Sequence, residues 1–253
     1  MTRHPATAKA DAPTLVIAHG LYGSARNWGV ISRRLADRRD VVAVDMRNHG
    51  DSPRADTQTY PDMADDLAEV IETLGAPVDL LGHSMGGKAS MQLALTRPEL
   101  LRRVIVADIA PIGYNHDQTR NARAMASLDL FRVTTRAEAD AALAEHIEDS
   151  ALRAFFLQSL DLRARPPRWR LNLAVLEAEM PKIVGWPGTQ GTFDHPTLFL
   201  TGALSTYVLP VHREAIRAHF PKARFAKIPE AGHWLHAEKP REFEETVRVF
   251  LEA

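Results

Sequence analysis

The chain has 253 residues, 45% hydrophobic and 25% charged, the balance of a globular protein long enough to bury a sizeable core. Its 31 basic and 32 acidic side chains leave a net charge of −1, so nothing electrostatic argues for nucleic acid or an anionic membrane as partner. Cysteine is absent, which excludes disulfides, thiolate metal sites and a cysteine nucleophile.

Residues 1–13 are polar and Ala-rich, without the apolar segment of a signal peptide, and no later run is long enough to span a bilayer. A cytoplasmic location without stable membrane association is the expectation. Before Leu15 there is room for one edge strand at most. The first strand is expected at Leu15–Ala18, ending in the loop His19-Gly20-Leu21-Tyr22-Gly23. A helix over Trp28–Arg38 and a strand over Val41–Val44 follow, the strand ending at Asp45. The apolar spacing then predicts a helix over Tyr60–Leu74, a strand over Val78–Leu81 and a helix over Met85–Arg97, stopped by Pro98. The strand at Val104–Ala107 is followed by Asp108.

From 112 to 191 no stretch reads as a strand, and helical spacing appears at 121–130, 136–148, 151–160 and 168–179. A strand at Thr197–Leu200, a helix at Val211–Phe220, a strand at Arg224–Ile228 and a helix at Pro240–Leu251 complete the chain. Strands with almost continuous apolar runs, alternating with helices, predict an α/β fold with a mostly parallel central sheet covered on both faces. The core is assigned to 1–111 and 192–253, with 112–191 as an inserted helical cap over the strand ends, where ligands of open α/β sheets bind.

Gly82-His83-Ser84-Met85-Gly86 reads G-x-S-x-G at a strand-to-helix junction, the context of a nucleophile elbow. Glycines on either side of Ser84 relieve the sharp turn that a strained serine requires. The N–H groups of Leu21 and Met85 are the candidate donors to a developing oxyanion. Among 11 histidines, His233 is chosen as base because it comes first after Gly232 on a loop beyond the last strand, with His236 as its competitor. His83 is expected to point away from the site. The strand at Thr197–Leu200 runs into Thr201-Gly202-Ala203-Leu204-Ser205, with no carboxylate, and Asp194 lies at its wrong end. Asp108 is therefore taken as the orienting acid in preference to Asp45, and Ser205 is expected to hydrogen-bond His233.

Gly82 to Lys88 also fits G-x-x-x-x-G-K, but Ala89 stands where a P-loop needs the hydroxyl that binds Mg²⁺. His19, Gly20, Tyr22, Trp28, Trp186, Tyr207 and Trp234 are the candidates for contacting substrate, with Met46, Phe155 and Phe156 as further wall residues. Arg120 and Arg123 are read as a solvated helix face rather than as an anion site.

Six segments together resemble the α/β-hydrolase superfamily, and within it the small bacterial YbfF-type esterases. They are His19–Ser24, Val44–Gly50, Gly82–Lys88, Asp108–Pro111, Ile183–Trp186 and Ala231–Pro240. The resemblance implies a hydrolase of carboxylic esters or acyl thioesters that uses Ser84, His233 and Asp108, with Ser205 beside the histidine. The expected reaction passes through an acyl-enzyme on a small-molecule substrate and needs no metal or cofactor. Carbon–carbon bond hydrolysis, perhydrolysis and a ligand-sensing receptor are the alternatives on the same scaffold. Around Ser205 the family pattern Gly-Asn-Ser-Pro-Tyr-Val is replaced by Ala203-Leu204-Ser205-Thr206-Tyr207-Val208.

Overall fold

A computed structural model describes residues 1–8 and 12–253. Strands β1 (Thr2–His4), β2 (Leu15–Ala18), β3 (Val41–Val44), β4 (Val78–His83) and β5 (Leu101–Ala107) precede a short ribbon, β6 (Leu160–Asp161) and β7 (Arg168–Trp169). Strands β8 (Thr197–Gly202) and β9 (Ala223–Ile228) follow. The seven-stranded sheet runs β1-β3-β2-β4-β5-β8-β9, and only the edge pair β1–β3 is antiparallel.

The register brings the C-terminal ends of the central strands level. Ala18 lies beside Gly82, His83 beside Ala107, and Ala107 beside Leu200. Whatever follows these strands is therefore delivered to one edge of the sheet, the edge where open α/β sheets bind ligands.

Alternate residues of β2 serve opposite faces, as a period of two requires. Val16 and Ala18 pack with α2 (Tyr60–Leu74) and α3 (Met85–Thr96), among Met63, Leu67 and Leu93. Leu15 and Ile17 pack with α1 (Gly29–Leu35) and the C-terminal helix, among Ile31, Phe243 and Val247. In α2 the buried positions Tyr60, Met63, Ala64, Leu67, Ala68 and Ile71 repeat at helical spacing. The helix opens with Thr59 Oγ1 accepting the N–H of Asp62 and ends at Gly75, where φ is +84°. Each large apolar side chain so buried contributes about 1.5–3 kcal/mol.

Between β5 and β8 come α4 (Thr119–Ala126), α5 (Arg136–Ala144), α6 (Ser150–Leu157), the β6–β7 ribbon, α7 (Leu173–Ala178) and α8 (Met180–Val184). The ribbon corrects the expectation of an all-helical stretch: 168–179 begins as strand, and its helix starts only at Leu173. Two-residue strands carry no readable period. The ribbon is held instead by a local turn in which Asp161 Oδ1 accepts the N–H groups of Arg163 and Ala164. The remaining helices are α9 (Arg213–His219), preceded by a 3₁₀ turn at Pro210–His212, α10 (Leu235–Glu238) and α11 (Pro240–Glu252). Among the described residues no helix is long and apolar enough to cross a membrane.

One of the close backbone approaches in the core is at Gly86. A Cβ there would sit 2.3 Å from the carbonyl oxygen of Ala18 and 2.5 Å from that of His19. Gly29 is the contrast, with right-handed helical angles and nothing nearer to a Cβ than Arg33 Nη1 at 3.5 Å. Gly86→Ala should therefore lower stability by about 1–3 kcal/mol or more through overpacking. Gly29→Ala should raise it by about 0.4–1 kcal/mol by restricting the unfolded chain. Urea unfolding of the two variants beside the parent measures both signs.

Candidate active site

Ser84 ends β4 and caps α3 at φ 51°, ψ −116°, a backbone region that costs a non-glycine residue free energy. Its N–H donates to the carbonyl of Ala107 at 3.0 Å, and its carbonyl accepts the N–H of Lys88 at 3.0 Å, so the turn is held from both sides. Asp108 leaves β5 in the same left-handed way, at φ 54°.

These turns bring three side chains together. Ser84 Oγ lies 3.0 Å from His233 Nε2, and His233 Nδ1 lies 2.8 Å from Asp108 Oδ2. A carboxylate only accepts, so Nδ1 carries the proton and Nε2 presents its lone pair to the serine hydroxyl. Asp108 is fully buried, and its Oδ1 accepts the N–H of Gly202 at 3.2 Å. The ring of Tyr207 stacks on the imidazole of His233, 3.9 Å between centroids and 17° from parallel.

Ser205 does not hydrogen-bond His233 as expected. Its hydroxyl donates to Asp108 Oδ2 and accepts the N–H of Tyr207 at 3.2 Å. The reason is its loop: Ser205 N–H closes a turn onto the carbonyl of Gly202, the residue whose own N–H binds Asp108, which turns the hydroxyl to the acid. His83 departs from expectation too. Rather than pointing away, it donates from Nε2 to the backbone carbonyl of His233 at 2.9 Å and so supports the loop that carries the imidazole. His236 is buried, stacks on Trp28 at 4.2 Å, and is pushed down to about 3 by burial. Asp45 is used elsewhere, accepting the N–H groups of Ala25 and Asp51.

The loop after β2 approaches the serine closely, since a Cβ on Gly20 would lie 3.2 Å from Ser84 Cβ. In this loop the N–H of Tyr22 goes to His49 Nε2 at 3.1 Å and that of Gly23 to Gly20 O at 3.0 Å. Among the described residues the N–H of Leu21 is matched to no acceptor. Met85 N–H, the first of α3, belongs to the donors that no helical carbonyl reaches. Leu21 and Met85 both border the same pocket as Ser84.

Two buried histidines brace this loop. His19 Nδ1 donates to Gly20 O at 2.8 Å while its Nε2 accepts the N–H of Met46 at 3.0 Å. His49 Nδ1 donates to Arg47 O at 2.8 Å while its Nε2 accepts from Tyr22. Both arrangements need a neutral ring. Burial supplies it, pushing His19 down to about 4 and His49 to about 3, the latter with help from His19. In the sequence His49 stood out only as part of the resembling segment Val44–Gly50, with no role of its own, far from the loop it holds.

The pocket has a volume of about 310 Å³. Of the residues expected to contact substrate, His19, Gly20, Tyr22, Trp28, Tyr207 and Trp234 line it, as do Phe155 and Phe156 from α6. Trp186 does not; it packs toward Tyr60, 6.3 Å between rings, and Ile183 and Val184 of α8 form that wall. Tyr60 Oη binds the carbonyl of Ile183 at 2.5 Å and fixes this end of α8, so the chain has passed the pocket before it reaches Trp186. Met46 is core rather than wall. Among the described residues no group of three or more potential ligands could hold a metal ion.

The sequence matches the family model of the alpha/beta hydrolase fold over residues 13–240. It is 38% identical over 251 residues to the sn-1-specific diacylglycerol lipase ABHD11 of Mus musculus, covering 96% of this chain and 82% of that protein. Esterase YbfF of Escherichia coli K12 is 38% identical over 242 residues, covering 94% and 92% of the two chains. The solved structure of a marine microorganism esterase superposes with a TM-score of 0.92 at 35% identity, over 98% of each chain. With the sheet order, the elbow at Ser84 and these likenesses in agreement, the chain belongs to the α/β hydrolase fold family.

Proposed function

We propose that this protein hydrolyses carboxylic esters, with Ser84 as nucleophile, His233 as general base and Asp108 as the acid that orients it. That the chain is an esterase/lipase-type α/β hydrolase rests on the relatives named esterase and lipase that share 38% of its sequence over most of its length. The finer reading rests on one observation, the unbroken relay from Ser84 Oγ through His233 to buried Asp108.

In this reading the hydroxyl of Ser84 attacks the ester carbonyl as His233 Nε2 takes its proton. The N–H groups of Leu21 and Met85 hold the oxyanion, and their worth lies in being fixed before charge develops. His233 returns the proton to the leaving alcohol, and water, activated by the same nitrogen, releases the acid from Ser84. Ser205 and Gly202 N–H keep the carboxylate of Asp108 turned toward His233. Residues 112–191 act as a cap whose Phe155, Phe156, Ile183 and Val184 wall the acyl group from water.

Ser84→Ala should abolish turnover of p-nitrophenyl esters and labelling by a fluorophosphonate probe. Asp108→Asn should cost about 10³–10⁴ in kcat. Turnover that survives Ser84→Ala would falsify the assignment, and ligand binding without turnover would favour a sensor. A series of p-nitrophenyl esters beside acyl thioesters of the same chain length separates the two substrate classes.

The bracing histidines add a pH dependence. Their unfolded value is 6.5, while in the fold they stay neutral down to about 4 for His19 and about 3 for His49. Between those limits the unfolded chain binds more protons, so stability should fall as pH drops from 6.5 toward 4. The urea midpoint measured across that interval should decline, and less steeply in His49→Gln, whose amide oxygen can accept from Tyr22 without titrating.

A further inference from the structure

Among the buried ionisable groups that the hydrolytic scheme leaves unused, one borders the pocket. Lys88 lies on α3 one turn beyond Ser84, is 1% exposed, and borders the same pocket. Its Nζ donates to the carbonyl of Val184 at 2.9 Å and to that of Gly185, at the end of α8. The rings of Tyr114 and Tyr60 lie 4.8 Å and 5.6 Å from it.

These neighbours are dipoles and π-faces. They take two of the three N–H donors of an ammonium but supply no full negative charge. Among the described residues no carboxylate pairs with Lys88, and burial alone pushes its titration from 10.5 down to about 7. A charge buried without a counter-charge costs several kcal/mol, and a methionine or leucine would fill the space without that cost. The position of the ammonium makes sense if the missing negative charge arrives with the ligand. Four helical residues rise about 6 Å, so Ser84 and Lys88 are a short acyl chain apart along one wall.

Taking the ester-hydrolase reading as given, we infer that Lys88 is the subsite for a distal carboxylate, and that the preferred substrates are half-esters of short dicarboxylic acids. The ester carbonyl sits at Ser84, the methylenes run past Ile109 and Val184, and the free carboxylate takes the third N–H of Lys88. Hydrolysis breaks the ester C–O bond. Water gives its hydroxyl to the acyl carbon and a proton to the alcohol, and the new carboxylic acid releases its own proton to solvent, leaving the dicarboxylate. The groups around the ammonium are Tyr60, Tyr114 and His116, whose ring is itself held below its ordinary value by burial and by Lys88. None of them competes as an anion near neutral pH.

The test compares monoethyl succinate, glutarate and adipate with ethyl butyrate, valerate and hexanoate, by ethanol release below neutral pH. At one chain length or more the half-ester should exceed its neutral partner in kcat/KM by about tenfold, the equivalent of one good ionic contact. In Lys88→Met that ratio should fall by a similar factor, mainly through KM. A ratio at or below one at every length in the wild type overturns the proposal. So does a Lys88→Met variant that slows both series equally, which would make the lysine only a pin for residues 184–185. If that variant does not fold, the wild type still decides: glutarate should inhibit ethyl valerate hydrolysis about tenfold more tightly than valerate does, and equal inhibition refutes the subsite. Absence of Ser84-dependent release from either series is a different failure, that of the hydrolase reading itself.

Discussion

The left-handed turn at Ser84 is the constraint on which the site depends. A serine at φ 51° persists only where its surroundings over-determine it, and here both of its backbone groups are hydrogen-bonded to neighbouring elements. The turn also needs α3 to lie against the end of β2, which Gly86 permits because nothing larger fits under the carbonyls of Ala18 and His19. The same packing that strains the serine thus places the first N–H of α3 and the loop after β2 on either side of it. The placement of the Ser84 hydroxyl and of the N–H groups beside it follows from one close contact. The other non-glycine residues at positive φ among those described are Tyr22, Asn48, Asp108 and Glu230. Each lies in the loop that follows the C-terminal end of a sheet strand. Backbone strain is therefore concentrated on the edge of the sheet where Ser84, Asp108 and His233 meet, while β2, β3, β4 and β8 beneath it are buried throughout.

Histidine does two opposite jobs at this edge. His233 is partly open to the pocket, with a carboxylate on one nitrogen and a hydroxyl on the other. His19 and His49 are sealed away and hold backbone N–H groups with unprotonated nitrogens. His83 and His236 fill the space behind His233, where burial keeps both rings neutral. In the proposed mechanism His233 becomes charged, and the imidazoles crowded around it would oppose that if they could also charge. Their burial prevents this, and among the described residues the carboxylate paired with His233 is that of Asp108.

Much of this was legible in the sequence because the signals were local. The G-x-S-x-G segment between an apolar run and a helical run, the first histidine after Gly232, and the aspartate directly after β5 all sit where short-range pattern fixes strand ends. Helix α2 was legible to the residue because its cap, its period and its terminal glycine agree. What was missed depends on distance across the fold. Ser205 was expected on the imidazole and sits on the acid, since the direction of a hydroxyl is set by a loop closing on Gly202. Trp186 was expected at the pocket and lies past it, since Tyr60 and Lys88, remote in sequence, grip the carbonyls of 183–185. The β6–β7 ribbon had no period to read. Lys88 was visible only as the final letter of a failed P-loop motif and of the resembling segment Gly82–Lys88, because its burial and its lack of an ionic partner among the described residues are properties of packing.

The division of labour between core and insertion has a physical origin in these contacts. Ser84 and Asp108 directly follow strand ends whose register is fixed by the ladder, and His233 lies on the loop after β9, so their geometry is inherited from the sheet. Part of the pocket wall comes from α6 and α8, which join the core through side chains: Tyr60 and Lys88 onto the end of α8, and Asn27 Nδ2 onto Gln158 Oε1 at 2.6 Å beside α6. A change in 112–191 can reshape that wall without disturbing the relay, provided these anchors survive. Lys88 is the exception to the separation. It belongs to the helix that Ser84 caps, yet it grips the insertion, so the same ammonium that would read the far end of the acyl chain also sets where the wall stands. Selectivity for an anionic acyl group and closure of the pocket around it are then coupled through one side chain, because an arriving carboxylate supplies the charge that its present partners lack.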